Sequence, residues 1–111
     1  MIPKEVTIYA AGFFDGEGCV STPAPNGYVG TICCNMAQNS RRPLEYIQKF
    51  YGGTIALRMN KYNGCHILTM SGERARRFLK DILPYCLVKD ADIKSAFEYT
   101  GRKEELENIG S

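Results

Sequence analysis

Ala10-Ala11-Gly12-Phe13-Phe14-Asp15-Gly16-Glu17-Gly18 closes the first apolar segment of the chain with three glycines and two acids. The segment before it predicts a helix over 3–14. Pro3 suits a first helical position, where its missing N–H costs nothing. Glu5 favours the positive end of the dipole. Gly12 inside a helix costs about 1 kcal/mol relative to Ala, and close approach of another backbone is the usual compensation. Gly12 and Gly16 stand four apart, near one face, so Ala11, Gly12 and Gly16 are the candidates for a tight helix–helix contact. The run from Asp15 to Gly18 then ends the helix. It leaves Asp15 and Glu17 at the carboxyl end, where the dipole disfavours carboxylates. Two readings stand at this point: a hard divalent cation held by carboxylate oxygens, or a plain helix-to-turn joint with exposed acids. An EF-hand is excluded, because its other oxygen ligands and closing Glu are missing.

Outward from this stretch the chain alternates between two periods. Cys19 to Ala24 predicts a strand, cut short or confined to an edge by Pro23 and Pro25. Pro25-Asn26-Gly27 signals a hairpin, with a return strand over 28–37. In that strand Ile32, Cys34 and Met36 alternate with Thr31, Cys33 and Asn35, one apolar face against one mostly polar. Pro43 to Tyr51 reads as a helix with Leu44, Ile47 and Phe50 inward and Ser40 available as a cap. Gly52-Gly53 stops it. Thr54 to Asn60 and Cys65 to Ser71 alternate again around a Tyr62-Asn63-Gly64 turn. His66, Leu68 and Met70 share one face, which makes His66 a core or semi-buried histidine. A helix over 73–83 puts Ala75, Phe78, Leu79 and Ile82 inward and Arg74, Arg76 and Arg77 on a solvated face, until Pro84 breaks it. Asp90 is placed to cap a last helix running to Tyr99, and a charged tail from Gly101 is expected to fray. The order is α-β-β-α-β-β-α-α, an α+β fold. Residues 1–101 form one domain and 102–111 its tail.

Composition narrows the function. At 111 residues, 44% hydrophobic and 23% charged, the chain is globular rather than disordered. No apolar run is long enough to cross a membrane, and no signal-peptide pattern leads the chain. Five cysteines without C-x-x-C spacing argue against a disulfide framework or a zinc ribbon. They read as reduced core fillers in a cytoplasmic or organellar interior, in a protein that is not secreted. One His without a supporting acid nearby argues against a Cys–His nucleophile. The net charge of +2 hides a pattern. Residues 41–80 hold nine Lys/Arg against two Asp/Glu, while both flanks are net acidic. A basic centre on a half-polar sheet face suits phosphates, and a solvated helix face accounts for the charge equally well.

The stretch Ala11-Gly12-Phe13-Phe14-Asp15-Gly16-Glu17-Gly18 resembles the signature of the LAGLIDADG homing endonucleases in its G-F-F-D-G-E-G form, with Ala10 where the family has Leu. The order of two hairpins and their helices, over nearly all of residues 3–100, resembles the family too. A single motif is similar to the members that act as homodimers. The resemblance implies a curved four-stranded antiparallel sheet forming a DNA-binding saddle. It implies a metal-dependent double-strand DNA endonuclease using Mg²⁺ or another divalent cation, acting as a homodimer on a long pseudo-palindromic site in intron homing and leaving short 3′ overhangs.

The resemblance also assigns residues. Glu17 corresponds to the metal ligand, and Asp15 to a helix-end acid that is more often structural. Gln38 corresponds to the residue that orients water. Arg42, or Arg41, corresponds to the basic contact near the scissile phosphate, and Lys89 to the lysine beside the metal site. By their place on the polar face or in its turns, Ser21, Asn26, Tyr28, Thr31, Asn35, Arg58, Asn60, Lys61 and Tyr62 are the expected DNA contacts, and the resemblance adds Arg41 and Arg42. Without the resemblance, Gln38 reads equally well as a strand-end polar residue and Lys89 as a surface lysine. A non-cleaving module on the same fold, either an RNA-splicing maturase or a DNA-binding regulator, is the other functional class. Retention of Glu17, Gln38 and Lys89 together favours the enzyme.

Overall fold

A computed structural model describes residues 1–23, 30–59 and 64–107. Helix α1 spans Lys4–Glu17 and runs directly into strand β1, Gly18–Ser21. Strand β2 is Cys33–Gln38, helix α2 is Arg42–Tyr51, strand β3 is Thr54–Met59 and strand β4 is Gly64–Ser71. Helix α3 is Gly72–Ile82, followed by a 3₁₀ turn at Leu83–Tyr85, helix α4 at Asp90–Tyr99 and a second 3₁₀ turn at Lys103–Leu106. The predicted α+β order is therefore the observed one. No helix among the described residues is long and apolar enough to cross a membrane.

The boundaries differ where local signals compete. Helix α1 does not stop at Phe14; Gly16 stays helical and the chain leaves only after Glu17. Gly18 has an extended backbone, and its N–H bonds the Phe14 carbonyl. Pro3, expected as the first helical residue, is instead the extended residue before it. The first two strands are shorter than expected, with β1 ending before Pro23. The Pro25-Asn26-Gly27 turn lies outside the described residues, as do Tyr62 and Asn63 of the second turn. Lys89, not Asp90, occupies the cap position of α4; Asp90 and Asp92 sit in its first turn, where the dipole favours them. Gly52 and Gly53 do end α2, with φ of 81° and 102° that only glycine adopts without strain.

The sheet is wholly antiparallel, in the order β1-β2-β4-β3. The second hairpin thus docks through β4, and β2 and β4 form the centre. The helices lie against the face carrying Cys34, Met36, Leu68 and Met70, all of which are buried. Phe14 of α1, Leu44 and Ile47 of α2, Phe78, Leu79 and Ile82 of α3, and Ile93 and Phe97 of α4 complete this core. Each such side chain contributes roughly 1.5–3 kcal/mol by leaving water. Phe78 takes Phe14 and Tyr51 edge-to-face, at centroid distances of 5.9 and 4.9 Å. Tyr51, rather than the predicted Phe50, completes the buried face of α2. Its hydroxyl meets Thr7 Oγ1 at 2.8 Å and donates to Asp81 Oδ2 at 3.0 Å, which ties α1, α2 and α3 together.

Two further expectations change. Residues 102–107 are not a loose tail, while 108–111 lie outside the described residues. Glu105 accepts Lys80 Nζ at 3.1 Å and Arg102 at 3.0 Å, with Arg76 at 3.7 Å, and Leu106 packs on the core. Arg76 is consequently not a purely solvated residue. The cysteines also divide. Cys34 and Cys86 are buried, and burial pushes their thiols up to about 12. Cys19, Cys33 and Cys65 instead stand on the sheet face away from the helices.

Candidate functional site

The residues on which the chemistry was expected lie on four segments: Glu17 ends α1, Gln38 ends β2, Arg42 opens α2 and Lys89 precedes α4. Glu17 is the last helical residue, is exposed, and has no ion pair or side-chain hydrogen bond among the described residues. The β1–β2 register pairs Gly18 with Met36, so Glu17 precedes the sheet at the edge where β2 finishes at Gln38. Gln38 Oε1 accepts the N–H of Asn39 at 2.8 Å, and Gln38 pairs across to His66. His66 is partly buried, as expected, with Nδ1 3.1 Å from the Asn39 carbonyl oxygen.

Lys89 arrives from the far end of the sequence. The Asp15 carboxylate accepts the backbone N–H groups of Leu87, Val88 and Lys89 at 2.7, 3.1 and 2.9 Å. Burial, the largest single influence, would raise the Asp15 pKa. The N–H groups of Leu87, Lys89 and Val88, with the Cys86 thiol, outweigh it and hold the carboxyl below its ordinary value. Asp15 is therefore a structural clamp. It fixes the 86–89 loop beside the end of α1, with the Lys89 backbone held at Asp15, two residues before Glu17.

The two candidate arginines differ. Arg41 Nε is paired with Glu45 Oε1 at 3.1 Å, an exposed i,i+4 pair. Arg42, the first residue of α2, has no such partner among the described residues. It lines a hollow with Tyr9, Ser40, Pro43 and Tyr46, so it stands beside Tyr9, two turns of α1 before Glu17.

The sheet face opposite the helices forms ordered rows. Ser21, Cys33 and Ser71 make one; Cys19, Asn35, Thr69 and Thr54 the next; Ala37, Ile67 and Ala56 the third; and Cys65 with Arg58 the last. Ser21, Asn35 and Arg58 lie on this face as expected, and Thr31 is exposed just before β2. Asn26, Tyr28, Asn60 and Lys61 lie outside the described residues. The β4 positions Ile67, Thr69 and Ser71 were not among the expected contacts. Their alternation was legible, but only the strand order shows that they occupy the middle of the face.

The exposed side of α1 carries Ile8, Tyr9, Gly12 and Gly16. A Cβ added at Gly12 or Gly16 would meet nothing of this chain within 4 Å, so neither glycine serves close packing against its own sheet. Ala11, grouped with them in the sequence reading, is fully buried in the chain's own core and offers no surface to a partner. Helical periodicity explains the split, since Ala11 falls on the side of Phe14 and Ala10.

No protein-family model and no curated protein matches the chain. Solved structures do. The homing endonuclease I-CvuI, in complex with its target, superposes with a TM-score of 0.69 at 21% identity, over 95% of this chain and 69% of that one. The archaeal intron-encoded homing endonuclease I-Vdi141I, complexed with DNA, gives 0.70 at 20% identity, over 86% and 66%. The LAGLIDADG meganuclease I-AabMI, bound to uncleaved DNA, gives 0.59 at 22% identity, over 94% of this chain and 40% of that one. The chain has the LAGLIDADG homing-endonuclease fold.

Proposed function

We propose that this chain is a LAGLIDADG homing endonuclease: a divalent-cation-dependent nuclease that binds duplex DNA on the polar sheet face and cuts both strands as a homodimer. One observation carries the reading. Asp15 holds the backbone of Lys89 two residues before Glu17, and the β1–β2 register sets Gln38 two residues beyond the partner of Gly18; Glu17 itself has no ion pair among the described residues. We read these as an acid, an amide and a cation from three separate segments that act together at one end of a sheet whose outer face is mostly small and polar.

A carboxylate oxygen is the donor a hard cation prefers, but six or more oxygens are needed. Among the described residues no three His, Cys, Asp or Glu side chains group to hold a metal. Glu17 thus supplies part of a site, to be completed by the Glu17 of a second copy and by phosphate oxygens. Such a cation, when bound, supplies Lewis-acid stabilisation of the phosphate. The chain's own residues do the rest. Gln38 orients the attacking water, Lys89 offsets the charge of the reacting phosphate, and Arg42 grips the backbone beside it. Structures of I-CvuI with DNA were determined in the presence of 2 mM Ca and of 2 mM Mg, the latter with DNA not cleaved.

The homodimer follows from arithmetic and surface. Two strands need two sites, and one chain carries one Glu17 of this kind. Gly12 and Gly16 leave open space on an exposed helix face, which lets a second α1 approach closely on a two-fold axis. The DNA site is then pseudo-palindromic, and the product carries short 3′ overhangs. The test is cleavage of a library of duplex targets with Mg²⁺. Double-strand cuts at one enriched sequence support the nuclease. Specific binding without any cut would instead favour a regulator or maturase on the same fold.

A further inference from the structure

Among the described residues the polar sheet face contains one large aliphatic side chain, and its position is central. Ile67 lies on β4, an inner strand. Its cross-strand neighbours on that face are Ala37 and Ala56, which reach no farther than Cβ. Its neighbours along the strand are Cys65 and Thr69, with one further shell of atoms. Ile67 is only partly buried and rises above small residues on all four sides. The next row toward one end carries Asn35 and the next row toward the other carries Arg58. Asn35, Ile67 and Arg58 are therefore the long side chains of the described part of this face, one from each of three adjacent strands.

Given the DNA interface proposed above, on which this inference rests, the chemistry of these positions is specific. In the major groove an Asn suits adenine N6/N7, an Arg suits guanine O6/N7, and an apolar side chain suits the 5-methyl of thymine. We propose that Ile67 is a specificity-determining residue that reads a thymine methyl group in the major groove, at a position between the bases faced by Asn35 and Arg58. Successive rows on one face are about 7 Å apart along a strand, close to two base-pair steps. Ala37 and Ala56 leave room for the base edge to reach Ile67, where larger residues would hold the duplex away.

The experiment uses the full chain and a pool of randomised duplexes, bound in the presence of Ca²⁺. Enriched sequences are resynthesised with each thymine replaced in turn by dU, which removes the methyl and leaves the pairing intact. One thymine in each half-site should prove sensitive, with wild-type affinity falling about three- to fivefold for each, as expected for one buried methyl. Ile67→Ala should bind the dT and dU duplexes equally. Ile67→Val, which keeps the β-branch and the fold, should retain part of the discrimination, and thermal melting of both variants checks the sheet. Equal wild-type affinity for every dU duplex overturns the inference and leaves DNA recognition standing. So does undiminished dU discrimination in Ile67→Ala. If the pool yields no enriched duplex at all, the DNA-binding reading itself falls, and this inference with it.

Discussion

The Asp15 carboxylate accepts the backbone N–H of Lys89 at 2.9 Å, across 74 residues of sequence. Leu87 and Val88 donate to the same carboxylate, so the loop before α4 is closed onto the end of α1. Asp15 thereby holds the loop through three backbone bonds. In the proposed site it is a positioning residue, and Glu17, without an ion pair among the described residues, is the proposed cation ligand.

Glu17→Gln should abolish cleavage while leaving duplex affinity within about twofold. The amide keeps the size of the side chain and loses the charge that a hard cation requires. Cleavage and gel-shift assays with Mg²⁺ and Ca²⁺ check this. Near wild-type cutting by the variant would remove Glu17 from the site.

Asp15→Ala leaves three backbone donors without their acceptor. A loss of roughly 1–3 kcal/mol of stability is expected, together with slower cleavage because Lys89 is no longer held. Urea unfolding measures the first effect and single-turnover rates the second. A variant that melts lower but cuts at the wild-type rate would make the clamp structural only.

Acid should destabilise the protein through two carboxylates. Asp15 is held below its ordinary 3.8, and Glu105 below its ordinary 4.5. At Glu105 burial would raise the value, and the bonds from Arg102 and Lys80 overcome it. A depressed pKa in the folded state stabilises fully above the unfolded value. That stability is lost as pH falls through the folded one. Unfolding free energy should therefore be flat near neutrality and decline below about pH 4.5. Asp15→Asn combined with Glu105→Gln should flatten that decline, as read by denaturant titrations at pH 7, 4 and 3.

Gly12→Leu should break the dimer without unfolding the monomer, because beyond its own helix backbone and chain neighbours nothing among the described residues lies within 4 Å of the new Cβ. Sedimentation with and without target DNA, alongside a thermal melt, separates the two effects. A wild-type monomer in both conditions that still cuts both strands ends the homodimer reading.

Duplex affinity should fall steeply with salt. If the expected contacts Arg41, Arg42, Arg58 and Lys61 face phosphates in both copies, the slope of log affinity against log salt should be about −6 or steeper. A flat plot would turn those side chains back into a solvated surface.

Periodicity carried most of the fold. The 3.6-residue pattern in Leu44 and Ile47, or in Ala75, Phe78, Leu79 and Ile82, selects a helix face. The two-residue pattern in Ile32, Cys34 and Met36 selects a strand face, because side-chain direction is set by the local backbone. The acids after Phe14 were legible for the same reason, as an unusual composition at a helix end. Tertiary structure alone decided four things. It placed β4 rather than β3 beside β2, and so put Ile67 at the centre of the polar face. It joined Asp15 to Lys89. It buried Ala11 while leaving Gly12 and Gly16 open. It fastened Glu105 to Arg102, Lys80 and Arg76, where the sequence suggested a loose tail. Each of these depends on contacts between segments far apart in the chain or on which side of an element is covered. Hydrogen bonds and ion pairs of that kind leave no local spacing to read, since their partners are chosen by how the helices pack against the finished sheet.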